Sequence, residues 1–198
     1  MALIVSVNIG VPRSNPWKDS GVTGIDKRPI DGPVTVTAPG PKGTGAVGLA
    51  GDRVYDIRNH GGDDQAVYAY AREDLDRWAA ELGRELPDGV FGENLTTSGA
   101  DVNAALIGER WRVGDRLVLE VSCPRIPCGT FQGWMREQGW IKRLLTSRSG
   151  CPQAVHIGRT PTRPSTGCAH ASRARGPRPG RYGGHRLEGS HSGRVQAP

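Results

Sequence analysis

QAVYAYAREDLDRWAAELG, residues 65–83, changes its period halfway along. QAVYAY (65–70) runs apolar at strand length. From Arg72 onward, Leu75, Trp78, Ala79 and Leu82 fall at i, i+3, i+4 and i+7, the spacing of one helix face. The stretch predicts a strand running straight into a helix over about 72–82. Glu73 is placed to pair with Arg77 one turn on, and Gly83 stands where the helix should stop. Working outward, LIVSV (3–7), VTVT (34–37) and RLVLEVS (116–122) are further strand candidates, the last with Leu117, Leu119 and Val121 on one face. A second helical stretch follows residue 128, where Phe131, Trp134 and Met135 share a face and Gly133 and Gly139 weaken the pattern. Many short strands, Gly- and Pro-rich turns and few helices predict an α+β domain, mainly β, of barrel-like form with a few peripheral helices.

At 198 residues the chain can bury a proper core. Its net charge of +6 invites a nucleic-acid reading, but the charge is uneven. Residues 1–144 hold 17 Lys plus Arg against 19 Asp plus Glu, whereas residues 145–198 hold nine arginines and one acid, Glu188. The body shows no Lys/Arg stripe with interleaved aromatics, so a nucleic-acid partner is disfavoured. The apolar run before Asn8 is too short for a signal-peptide core or a membrane span. The expectation is a cytoplasmic protein with no membrane partner and with reduced thiols, where a structural disulfide is a poor bet.

Up to about Leu145 the sequence behaves as a folded domain, giving the division 1–145 domain and 146–198 tail. The tail is rich in Arg, Gly, Pro and Ser, lacks a helical or strand period, and carries few branched aliphatics. Two readings stand: a disordered segment, or out-of-frame translation of a GC-rich gene. Cys151, His156, Cys168 and His170 lie there without the spacing of a zinc site.

Four stretches could carry chemistry. In GLAGDRVYDIRNHGGDDQAVYAY (48–70), Gly61 and Gly62 can expose backbone N–H groups to an anion. Arg53, Arg58 and His60 add charge and donors, and Asp52, Asp56 and Asp64 can hold them. The same residues also suit a polar loop between strands. VFGENLTTSG (90–99) offers Glu93 and Asn94 as a turn or as a polar wall. GIDKRPIDGPV (24–34) places Lys27 and Arg28 in an extended segment before Pro29, which also fits two solvated charges. In CPRIPCG (123–129), Pro124 and Pro127 fix the backbone around Ile126 and hold Cys128 at a defined place near Arg125, which favours a thiolate; a buried structural thiol is the competing reading.

In this order, GIDKRPIDGPV, GLAGDRVYDIRNHGGDDQAVYAYAREDLDRW, FGENLTTSG, IGERWRVGD and PRIPCGTFQGWM resemble the MOSC domain family, over about residues 1–145. The resemblance implies a MOSC β-barrel-like fold and a molybdenum–pterin cofactor, with Cys128 as metal ligand, catalytic thiol or persulfide carrier. It also carries the family's association with pyridoxal phosphate binding. Lys27, Arg53, His60, Gly61, Gly62 and Arg125 would hold the pterin and its phosphate, with Asp64 and Asn94 orienting them. The implied activity is reduction of N-hydroxylated nucleobases or related small molecules to amines, with a separate electron-donor protein. A non-catalytic cofactor or sulfur carrier is the alternative. The family pattern continues with an apolar strand after GWIKR where this chain has its polar tail, and a barrel lacking it would leave a strand edge unpaired.

Overall fold

The computed structural model describes residues 2–147 together with the backbone of 155–158, 167–171 and 185–189. The switch of period at residue 71 is realised as expected. Strand β4 (Val67–Ala71) runs directly into helix α1 (Arg72–Leu82), which buries Leu75 and Trp78. Gly83 closes the helix in the left-handed region (φ 64°), its N–H donating to the Ala79 carbonyl. The Glu73–Arg77 pair differs from expectation. Arg77 bonds Asp74 at 2.6 Å, while Glu73 accepts from Ser98 Oγ and the Gly99 N–H. Asp74 lies one turn before Arg77 in the same helix, whereas Ser98 and Gly99 lie beyond it, and the helical spacing does not reveal them.

Strand β1 (Ala2–Asn15) is the longest element and serves three partners. It pairs antiparallel with β2 (Gly21–Pro29) along Asn8–Asn15, with β5 (Leu95–Ser98) along Leu3–Val7, and with β10 (His185–Gly189) along Ala2–Ile4. Register shifts between Ile4 and Ser6 and between Val11 and Arg13 fit bulges that redirect it. The other elements are β3 (Gly32–Val36), β6 (Arg110–Val113), β7 (Leu117–Pro124), α2 (Gly129–Met135), α3 (Trp140–Thr146), β8 (Val155–Gly158) and β9 (Gly167–Ala171). The strand order is β10-β6-β7-β8-β4-β5-β1-β2, and β10 pairs back onto β1, so the pairings return on themselves. β3 and β9 form a separate two-stranded sheet. β4 and β5 are parallel, joined by a crossover that contains α1. Among the described residues the fold is mixed, mainly strand with three α-helices, as the sequence predicts.

β8 lies between β7 and β4, so the unpaired edge expected from the polar tail is not found there. Strand pairing uses backbone groups that every non-proline residue carries, and composition does not register it. The remaining readings of residues 146–198, including those on Cys151, His156, Cys168 and His170 as metal ligands, concern positions or side chains outside the described residues.

β4 shows how the core divides. Val67, Ala69 and Ala71 join a cluster with Ile4, Val7, Leu95, Trp111 and Val121, while Tyr68 and Tyr70 turn to the other face among Leu75, Trp78, Phe91, Phe131 and Trp140. Small and branched side chains fill one side, and aromatics seat α1, α2 and α3 on the other.

The segment 89–94 crosses β2 closely. Gly89 has φ 86°, and a Cβ there would stand 2.3 Å from the Lys27 carbonyl oxygen. Gly83 also has positive φ, but its Cβ would meet nothing within 4 Å. Gly83→Ala should therefore cost about 1 kcal/mol from the backbone alone. Gly89→Ala should cost roughly 3 kcal/mol or more, because backbone must move as well. Urea unfolding of both variants checks this, and equal losses would remove the steric account.

Candidate functional site

The β1–β2 hairpin, the irregular loop 46–62, segment 92–94 and the turn before α2 enclose a cleft of about 870 Å³, counted to its open mouth. Seven predicted site residues line it together: Lys27, Arg53, His60, Gly61, Asn94, Arg125 and Cys128. Gly62 and Asp64 line an adjoining depression with Gly40, Pro41 and Lys42 instead. Gly62 (φ 81°) is pressed against the Lys42 backbone, where a Cβ would meet atoms at 2.9 Å. Asp64 lends its carbonyl to Ser122 Oγ. Arg28 is turned away onto Asp26 at 3.0 Å, and Arg58 is exposed outside the lining.

The floor is a buried polar knot. Asp52 accepts from Lys27 Nζ at 2.6 Å, from Asn94 Nδ2 at 2.8 Å and from the Gly10 N–H at 2.9 Å. Lys27 and Asp52 side chains are only 10% and 8% exposed, so this pair is largely removed from water. Burial pushes the Lys27 ammonium down from its usual value, against the pull of Asp52. Asn94 also receives the Tyr68 N–H and donates to the Asn8 carbonyl, which fixes its amide in place. Behind it, fully buried Glu93 accepts from the Gly89 and Phe91 N–H groups and from Thr96 Oγ1. Burial nevertheless carries its carboxyl up to about 7.

The far wall carries the thiol. Cys128 is the residue ahead of α2, at the end of the proline-bounded turn. Burial would push its thiol up, but a hydrogen bond from His60, the charge of Arg125 and the Phe131 N–H outweigh it. The result is about 6. At neutral pH the sulfur is mainly thiolate. The Arg125 guanidinium carbon lies over the rings of Tyr68 and Phe131, 5.1 and 6.0 Å from their centroids, within cation–π range. Cys123 is a free thiol whose Sγ lies 3.7 Å from the Asp64 carbonyl, and it does not line the cleft.

Two features were not singled out from sequence. Tyr68 follows from the alternation of β4, which sends it to the face opposite Val67. Gln65 has no such signal: the residue lines the cleft, and its Oε1 is buried without a donor among the described residues. Neither Arg53 nor Arg125 has a carboxylate partner among the described residues, whereas Lys27 is neutralised by Asp52. The cleft therefore offers two guanidiniums, an imidazole and a soft thiolate. That donor set fits an anionic ligand with a thiophilic centre.

Two measurements follow. Alkylation of Cys128 against pH, read by peptide mass spectrometry, should reach half its plateau near pH 6. His60→Ala should move that midpoint up by about one unit, and a wild-type midpoint above 8 would contradict the geometry. Glu93 titrates above its ordinary 4.5, so the folded state holds an extra proton between about pH 4.5 and 7. Its contribution to stability is full below 4.5 and is lost as pH rises through 7. Glu93→Gln should flatten that part of the stability profile, and an unchanged slope would refute the buried-proton account.

A family model described as the MOSC domain matches residues 56–189, about two thirds of the chain. The chain is 36% identical over 126 residues to uncharacterized protein YflK of Bacillus subtilis (strain 168), covering 63% of this chain and 53% of that protein. It is 35% identical over 131 residues to a protein named Reductase from Gibberella moniliformis (strain M3125 / FGSC 7600), covering 64% and 22%. Protein YiiM of Escherichia coli (strain K12) is 31% identical over 125 residues, covering 62% and 52%. The aligned part thus spans about half of YflK and YiiM and about a fifth of the fungal protein. Among solved structures, YiiM from Geobacillus stearothermophilus shares the fold at a TM-score of 0.65 and 23% identity, covering 96% of this chain and 76% of that one. The family-model match, over residues 56–189, spans the positions of His60, Asn94, Arg125 and Cys128 and runs on past Leu145, and the chain belongs to the MOSC domain family.

Proposed function

We propose that the cleft binds a molybdenum–pterin cofactor, with Cys128 as its thiolate ligand, and that the protein reduces N-hydroxylated nucleobases or related compounds to amines. One observation carries this reading: Cys128 is held as a thiolate by His60 and Arg125 at the wall of a cleft whose other cations include an unpaired Arg53. The name Reductase borne by one relative agrees with it.

The cofactor, when bound, would supply the two-electron redox chemistry. Arg53 and Arg125 would take its anionic groups. Lys27 is spoken for by Asp52, so it shapes the floor rather than serving as a phosphate anchor. His60 keeps Cys128 deprotonated and is the proton-bearing group beside the sulfur. In the overall change, R–NH–OH takes up two electrons and two protons to give R–NH2 and water. The electrons would come from a separate donor protein.

Molybdenum and pterin content of the purified full chain test the proposal, followed by oxidation of a reductant in the presence of hydroxylaminopurine. Wild type and Cys123→Ala should retain metal, and Cys128→Ala should lose it by roughly tenfold or more. Equal retention in Cys128→Ala would sink the ligand assignment. Metal retained without turnover would replace the reductase with the carrier reading, in which Cys128 holds sulfur as a persulfide.

A further inference from the structure

Two ion pairs join the hairpin side of the cleft to the opposite loop. Lys27–Asp52 is the more buried. Lys18, on the turn between β1 and β2 and itself outside the lining, reaches the cleft-lining Asp56 of the opposite loop at 3.1 Å, the two side chains being 29% and 18% exposed. Asn15, Ser20, Val22 and Thr23 line the cleft on the hairpin side of this bridge, and Asp52 to Asp56 with His60 and Gly61 line it on the other. Among the described residues no other ion pair joins the turn to that loop.

The turn is fixed differently at its back. The Trp17 indole lies flush on Gly133 of α2, where a Cβ would stand 2.2 Å from the ring, and Asn15 Nδ2 donates to Thr130 Oγ1 at 3.2 Å. Gly21 ends the turn at φ 64° with open space around it. The rear attachment is packed into the helix that begins after Cys128. The front attachment is one partly exposed ion pair, which water and salt can exchange.

We propose that Lys18 is a specificity-determining residue: its bridge to Asp56 straps the β1–β2 turn across the mouth of the cleft and admits to Cys128 only ligands slim enough to pass it. The inference rests on the preceding reading only in taking the cleft as a ligand site. With the strap closed, a flat, narrow compound reaches the sulfur and a bulky one waits for the ion pair to open.

Thiol labelling tests this without cofactor or turnover, so failure of the reductase reading leaves the test intact. The full chain is treated at about pH 8, where Cys128 is thiolate, with N-methylmaleimide or N-pyrenylmaleimide. Modification at Cys128 is read by peptide mass spectrometry, and the bulky-to-small rate ratio cancels changes in nucleophilicity. Lys18→Met should raise the ratio about threefold, the scale of a partly exposed pair, and Lys18→Arg should leave it near wild type. About 0.5 M NaCl should raise it in wild type and not in Lys18→Met. A ratio unchanged in Lys18→Met, or raised equally in Lys18→Arg, would overturn the proposal.

Discussion

The carboxylate of Asp52 ties together four parts of the chain that are distant in sequence. Gly10 on β1, Lys27 on β2, Asn94 ahead of β5 and the loop bearing His60 all converge on it. A buried charge of this kind is tolerable only when its partners are complete. Removing one partner typically costs about 3–5 kcal/mol because the others are left uncompensated. The cleft floor is therefore specified by electrostatic necessity as well as by packing. The same knot engages Lys27, which lines the cleft, through its bond to Asp52.

Pairing decides which charges remain for a ligand. Lys27 and Asp52 cancel, and Lys18 and Asp56 cancel nearer the surface. Among the described residues what remains is Arg53 and Arg125, with the imidazole as a hydrogen-bond partner beside the thiolate. Arg125 lies over aromatic rings and has no carboxylate partner among the described residues, so its charge is not quenched there. The excess positive potential stabilises the sulfur anion and would favour an anionic ligand by the same physics.

Local features were legible in the sequence and long-range ones were not. The strand-to-helix switch at 71–72 and the stop at Gly83 follow from period and from glycine's freedom, and both stand in the structure. The motifs around Lys27, His60, Asn94 and Cys128 were recognised, and the fold brings all four to one cleft. Gly62 and Asp64 belong to the same HGG stretch yet face the next depression, because two consecutive positive-φ glycines turn the chain sharply. Which acid holds which base was also hidden. Asp52 takes Lys27 and Asp56 takes Lys18, rather than the nearby arginines, since such choices depend on tertiary distance.

The return of β10 onto β1 has a consequence for how the chain acquires its form. Residues 2–4 find that partner only among residues 185–187, so this contact spans almost the whole sequence. Closing so long a loop is entropically slow, and the first strand keeps an unsatisfied edge until the last one arrives. During synthesis the rest of the ring is made before its seam. Folding is thus completed after the ribosome has released residues 185–189, and the waiting edge is the point at which two growing chains would stick to each other.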